Sequence, residues 1–162
     1  MITIAIITVS DRSSQGLRED LSGPEIKKWA VSQGYEVVSE SIVPDEADKI
    51  KKKLIEYSDA GCDLILTTGG TGFAPRDVTP EATKAVIERE TPGFGEAMRA
   101  QSLLITPHAM LSRATAGIRK QSIIINLPGS PKAVRENLAS VEKAITHAVR
   151  LLKGKVADCA NE

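Results

Sequence analysis

Three short aliphatic runs constrain this chain more than any other feature. Residues 2–9 read ITIAIITV, residues 63–68 read DLILTT and residues 122–127 read SIIINL. The first is β-branched and nearly uninterrupted, the pattern of a strand buried on both faces rather than one. Helix signals fill the intervals. Ser22 and Glu25 are spaced as a capping box, Ile26, Trp29 and Ala30 follow at helical spacing, and Gly34 closes the segment. Residues 35–43 alternate as a strand. Asp45 stands at the head of a second helix carrying Ala47, Ile50 and Leu54 on one face, and Gly61 ends it. Thr79-Pro80-Glu81 combines an N-cap, a proline at the first position and an acid in the first turn, which predicts a helix to about residue 89. Pro92-Gly93 breaks the chain, and residues 96–104 read as helical. Residues 114–118 and 122–127 flank a turn, the place where an antiparallel strand enters. Ser130-Pro131 opens a last helix with an apolar stripe at Val134, Leu138, Val141, Ile145, Ala148 and Leu152.

Strands alternating with helices predict a three-layer α/β sandwich: a mainly parallel sheet with one antiparallel strand, covered on both faces. The chain has 162 residues, enough for one domain over residues 1–154 and a polar tail at 155–162. In such sheets, ligands bind beyond the carboxyl ends of the strands. The segments there are residues 10–14, 44–45, 69–77 and 128–131, which are also the loops richest in Gly, Pro, Asp and Ser.

Charge narrows the function. With 21 basic and 21 acidic side chains the formal net charge is zero, which argues against a nucleic-acid partner. The balance is uneven: residues 1–81 carry 9 basic and 14 acidic groups, and residues 82–162 carry 12 and 7. Cys62 and Cys159 are far apart, with no CxxC, so they read as free thiols rather than a disulfide or zinc site. No apolar run approaches a membrane span, and the opening apolar segment lacks a basic lead and meets Asp11-Arg12 at once, which predicts a cytoplasmic protein with no membrane partner.

Thr68-Gly69-Gly70-Thr71-Gly72 follows a strand directly. Glycines there allow positive φ and leave backbone N–H groups open to an anion. The loop matches neither the P-loop nor the dinucleotide fingerprint, because Pro75 stands where the third glycine would be. Pro128-Gly129-Ser130 leads into the last helix, whose free N–H groups and dipole also favour an anion, though taken alone the segment reads better as an ordinary cap, with Ser130 as N-cap and Pro131 at the first position. Asp45 and Asp77 each fall after a strand. Two carboxylates on one cleft can hold Mg²⁺, but Asp45 also suits a helix cap and Asp77 an Asx turn. Asp11 with Arg12 suits a loop salt bridge. Arg76, Arg113 and Arg119 are candidate phosphate clamps. His108 and His147 match no Ser or Cys nucleophile pattern, and His147, beside the apolar stripe of the last helix, reads as structural. Phe94 lies between two glycines, either over a planar ligand or anchoring the loop.

Five blocks in this order resemble a known family: TVSDRSSQG at 8–16, VPDE at 43–46, LTTGGTGFAPRDVTPEAT at 66–83, ETPGFGEAMR at 90–99 and LSRATAGIRKQSIIINLPGSP at 111–131. They are similar to the Mog/MoaB family of molybdenum cofactor biosynthesis, which shares its domain with gephyrin, and most to its Mog-type molybdopterin adenylyltransferases. The resemblance implies Mg²⁺, ATP and molybdopterin as cofactor and substrates. It places the family's two essential aspartates on Asp45 and Asp77, as catalytic and metal-holding groups. ATP phosphates are then expected along residues 68–72 and 128–130, with Ser10, Asp11, Ser112 and Arg113 on the pterin side. It also implies a homotrimer and leaves open contact with other proteins of the pathway. Some Mog-type enzymes carry an insertion before the final helix that this chain lacks. A non-catalytic, MoaB-like molybdopterin-binding protein therefore remains the alternative.

Overall fold

The computed structural model describes residues 1–155. Most of the expected tail, and Cys159, lie outside the described residues. The three aliphatic runs become the middle of one six-stranded sheet. Its strands are β1 (Thr3–Val9), β2 (Glu36–Val43), β3 (Leu64–Thr68), β4 (Arg89–Glu90), β5 (Ala116–Arg119) and β6 (Ser122–Leu127). They lie in the order β2-β1-β3-β6-β5-β4. Strands β2, β1, β3 and β6 pair in parallel, and β5 alone runs against its neighbours. The short β4 has no signal in the sequence, because two exposed charged residues carry no periodicity.

Burial explains the unbroken runs. Ile4, Ile6, Leu64, Leu66, Ile123 and Ile125 face one apolar layer, while Ala5, Ile7, Ile65 and Ile124 face the other. The first layer is completed by α2 (Ser22–Ser32), α5 (Pro92–Leu103) and α6 (Pro131–Leu152), the second by α3 (Ala47–Asp59) and α4 (Thr79–Val86). Strand β2 is at an edge, alternates in exposure, and turns Glu36, Val38, Glu40 and Ile42 to water, two glutamates interrupting an apolar row in the way that charges on an edge strand discourage pairing.

Four local expectations change. The start of α2 is capped by Asp20, whose Oδ1 accepts from the N–H groups of Ser22 and Gly23 at 3.1 and 3.0 Å, and Glu25 closes no capping box. Asp45 caps nothing: α3 begins two residues later, after Glu46. Thr79 is the first residue of α4 rather than its cap, and that helix ends at Val86. Pro92 starts α5 instead of breaking it, since proline suits the first turn, where no helical N–H is needed. Phe94 thus sits in that turn, half-buried against the core, and not on a loose loop. A one-turn α1 (Asp11–Ser14) and a 3-10 turn (Pro107–Leu111) complete the elements.

Candidate active site at the carboxyl ends of the strands

The parallel strands β1, β2, β3 and β6 end together, and their loops close around a cavity of about 250 Å³. Thr8, Ser10, Asp20, Asp45, Thr68, Gly69, Gly70, Asp77 and Gly129 all line it. Residues separated by more than a hundred positions meet here because each loop starts from a neighbouring strand.

The glycine loop is set by steric need. Gly69 has φ +97°, and a Cβ there would stand 2.3 Å from the carbonyl oxygen of Val9. Gly70 has φ +68°, and a Cβ would stand 2.4 Å from Thr79 Oγ1 and 3.2 Å from Asp45 Oδ1. Only glycine fits both positions. The Gly69 N–H donates to Leu127 O at 3.1 Å. The N–H groups of Gly70, Thr71 and Gly72 have no acceptor among the described residues. Thr79 Oγ1 ties the loop down by donating to Gly69 O at 2.9 Å, and Thr68 Oγ1 donates to Pro128 O at 2.7 Å. The glycine loop and the 128–130 loop are therefore stitched together.

Asp45 projects from the end of β2 and Asp77 from the loop after β3. The Oδ2 of Asp45 accepts from the Asp11 N–H at 2.8 Å, and Oδ1 of Asp11 accepts from the Asp45 N–H at 3.0 Å. Burial pushes the Asp45 carboxyl above its usual range against the pull of the Asp11 N–H, and the charges of Asp11 and Asp77 push the same way. Asp77 Oδ2 accepts from the N–H of Ala74, three residues back, at 3.1 Å, and the Asp77 N–H donates to Ala74 O at 2.9 Å. This is not the expected Asx turn, which would serve an N–H two residues on, but it fixes the side chain at the cavity wall.

Asp11 is bonded to Arg76 rather than Arg12: Nε and Nη2 of Arg76 donate to its two oxygens at 2.6 and 2.9 Å. That pair holds the Asp11 carboxyl below its usual range. Ser10 lines the cavity while its Oγ caps α1, accepting from the Ser13 N–H at 3.1 Å. Ser130 caps α6 by accepting from the Ala133 N–H at 3.2 Å.

The proposed pterin side does not lie in one place. Ser112 and Arg113 line a second cavity, of about 320 Å³, together with Lys84, Glu90 and Arg99. Arg113 connects this cavity to the loop that carries Asp77. Its Nε donates to Gly72 O and its Nη2 to Asp77 O, both at 2.8 Å, and it is ion-paired with Glu81. Arg119 is remote: it donates to Ser58 Oγ and Val86 O at the far end of the sheet, so it is no phosphate clamp for this site. The sequence reading missed Thr8, Arg18 and Asp20 in the first cavity. For Asp20, the only signal was its position two residues before the helix start.

The acidic and basic halves of the chain do meet here, through Gly129 packed on Gly69 and Arg113 on the Asp77 loop. No group of three or more acidic, His or Cys side chains shaped for a metal occurs among the described residues. The donor set suits Mg²⁺ held by one or two carboxylates plus substrate phosphates rather than an all-protein cage. The Asp45 and Asp77 carboxylates at the cavity wall supply the negative charge that such an ion would offset, while Asp11 is paired with Arg76. No helix among the described residues is long and apolar enough to cross a membrane.

The chain is similar to several known proteins. A molybdopterin adenylyltransferase of Helicobacter pylori J99 is 50% identical over 94% of this chain and 89% of its own length. Gephyrin of Dictyostelium discoideum is 49% identical over 94% of this chain, which spans only 23% of that protein. The solved structure of the molybdopterin biosynthesis enzyme MoaB of Thermus thermophilus superposes with a TM-score of 0.91 at 46% identity, covering 98% of this chain and 100% of that one. Residues 5–147 match the family described as a probable molybdopterin binding domain. A mainly parallel sheet whose carboxyl-end loops gather two aspartates and a glycine turn, found with these relatives over nearly its whole length, places this chain in the molybdopterin-binding family of MoaB and MogA proteins.

Proposed function

We propose that this chain is a molybdopterin adenylyltransferase, which uses ATP to form adenylyl-molybdopterin and pyrophosphate. The observation that carries the reading is the convergence of Asp45, Asp77 and the Gly69-Gly70 turn on one cavity, in a chain 41–50% identical to several proteins of that name. Residues 1–154 form the molybdopterin-binding domain in this reading.

The phosphates of ATP lie against the open N–H groups of residues 70–72 and the 129–130 turn at the start of α6. Asp45 and Asp77 would hold Mg²⁺, which when bound would neutralise charge on the phosphates. A terminal phosphate oxygen of molybdopterin attacks the α-phosphorus of ATP. The new P–O bond forms as the bond to the β-phosphate oxygen breaks, and pyrophosphate leaves with that electron pair. The attacking oxygen is already anionic, so no strong general base is required, and positioning with charge neutralisation supplies the rate. The second cavity, with Ser112, Arg99, Arg113 and Lys84, receives the rest of the anionic substrate. Ser10 faces the first cavity and touches ATP rather than the pterin.

Self-association, expected from the family resemblance to be a homotrimer, is consistent with the exposed apolar side chains Leu104, Ile105, Met110 and Leu111 around the end of α5, which by themselves set no stoichiometry. A cytoplasmic location is supported by the free, buried thiol of Cys62. The test is direct: incubation of the purified protein with molybdopterin, ATP and Mg²⁺ yields adenylyl-molybdopterin and stoichiometric pyrophosphate. Tight molybdopterin binding with no pyrophosphate identifies a non-catalytic carrier instead.

A further inference from the structure

Asp11 lies beside the reacting groups, yet it lines neither cavity. Its N–H and its carboxylate are turned toward other loops. It leaves the end of β1, exchanges two hydrogen bonds with Asp45 at the end of β2, at 2.8 and 3.0 Å, and receives both nitrogens of Arg76 from the loop after β3, at 2.6 and 2.9 Å. Arg76 is the immediate neighbour of Asp77 in the chain. One side chain therefore ties down the loop carrying Asp45 and the loop carrying Asp77.

We infer that Asp11 is a positioning residue, which with Arg76 sets the spacing and orientation of Asp45 and Asp77, and is not a pterin ligand. The inference rests on the adenylyltransferase reading for its kinetic consequences. Three features of the structure carry it. The exchange with Asp45 is reciprocal, so neither loop shifts without breaking both bonds. The Arg76 contact is a two-point fork, which fixes a plane as well as a distance. Asp45 accepts an N–H from Asp11 while the charge of the Asp11 carboxylate is taken up by Arg76. Asp45 therefore keeps its remaining lone pairs for a cation, and Asp11 does not compete with it for one. Groups that orient metal-holding carboxylates from behind typically change metal affinity or activity by about 10–100-fold when removed.

The test uses the full chain and the variants Asp11→Ala, Asp11→Asn, Arg76→Ala and the double variant Asp11→Ala/Arg76→Ala. Two readouts are taken: turnover with molybdopterin, ATP and Mg²⁺, and Mn²⁺ affinity by electron paramagnetic resonance with a non-hydrolysable ATP analogue. Asp11→Ala should lower kcat and weaken Mn²⁺ affinity by about 10-fold or more, with KM for molybdopterin within about 3-fold of wild type. Asp11→Asn keeps one acceptor for the Asp45 N–H and should recover part of both losses. Arg76→Ala should give the same kind of loss, and the double variant should be no worse than Asp11→Ala, because the two act through one network. Multiplied losses in the double variant overturn the inference, as does unchanged Mn²⁺ affinity in Asp11→Ala. A selective rise in KM for molybdopterin also overturns it, by making Asp11 a pterin ligand. A wild-type protein that makes no adenylylated product defeats the functional reading alone, and the Mn²⁺ measurement still decides the role of Asp11.

Discussion

Asp45 and Asp63 stand at opposite ends of the same sheet and are held in opposite ways. Asp63 precedes β3, with its side chain 3% exposed. It accepts from the Thr3 N–H at 2.9 Å, and Lys153 Nζ lies 2.5 Å from its other oxygen. Burial opposes its charge, but Lys153 and Thr3 outweigh burial and hold the carboxyl below its usual range. Asp45 has one N–H, no cation of its own, and two acidic neighbours, and its carboxyl is raised. One carboxylate is fully answered by the fold and serves stability. The other is left short of positive charge in a cavity, which is where a cation and a polyphosphate complete the set.

The sharpest way to break this contrast is at the carboxyl end. Asp77→Ala should cost turnover on the order of 10²–10³-fold, the scale of losing one group that offsets transition-state charge, while molybdopterin binding and Tm stay near wild type. A variant that keeps wild-type rates of pyrophosphate release removes Asp77 from the chemistry.

At the amino end the largest effect should be on stability. Asp63→Ala leaves Lys153 unpaired, and breaking a buried pair costs about 3–5 kcal/mol. The lower figure applies, because Lys153 keeps 24% of its side chain exposed. Denaturant unfolding should show the loss, and turnover per folded molecule should not change. Its pH dependence has a fixed sign. The folded carboxyl lies below the unfolded one, so its contribution is present above about pH 4 and is lost as pH falls through the depressed value. The stability gap between wild type and Asp63→Ala should therefore close in acid.

Asp45→Asn should do the reverse, with a smaller magnitude. The folded carboxyl lies above the unfolded one, so ionised Asp45 destabilises the fold at neutral pH. The amide keeps an acceptor for the Asp11 N–H and removes the charge. Tm should rise at pH 7, the gain should vanish as pH falls through the carboxylate range, and turnover should be lost. A lower Tm at pH 7 would show that Asp45 is a structural group like Asp63.

The smallest effect belongs to a surface pair used as a control. Lys27 and Glu40 are 2.6 Å apart but 52% and 43% exposed. Lys27→Ala should change stability by about 0.5 kcal/mol or less and leave turnover unchanged.

Much of the fold was legible before any coordinates. Residues 2–9 announced a doubly buried strand because alternate side chains, Ile4 and Ile6 against Ala5 and Ile7, enter two different cores. The stripe from Val134 to Ile145 announced α6 because it packs one face on the sheet. Helix starts were less legible. Asp20 caps α2 from outside the expected motif, and Asp45, an apt cap by type, is drawn off by the Asp11 N–H. Propensity sees only near neighbours, and the competing donor came from 34 positions away. In the site, the aspartates and the glycine turn could be singled out from loop position and composition. The arginines could not be ranked, since Arg76, Arg113 and Arg119 differ only in what the fold places beside them.

The sequence by itself determined the layers, the parallel core and the loops in which chemistry would lie, because these follow from local periodicity and from which residues tolerate a turn. The tertiary structure decided which of those loops meet, that Ser112 and Arg113 line a different cavity from Asp45 and Asp77, and that Asp11 braces both aspartates. Those outcomes depend on strand order and on distances of a few ångströms between residues far apart in the chain, and only the folded sheet sets them.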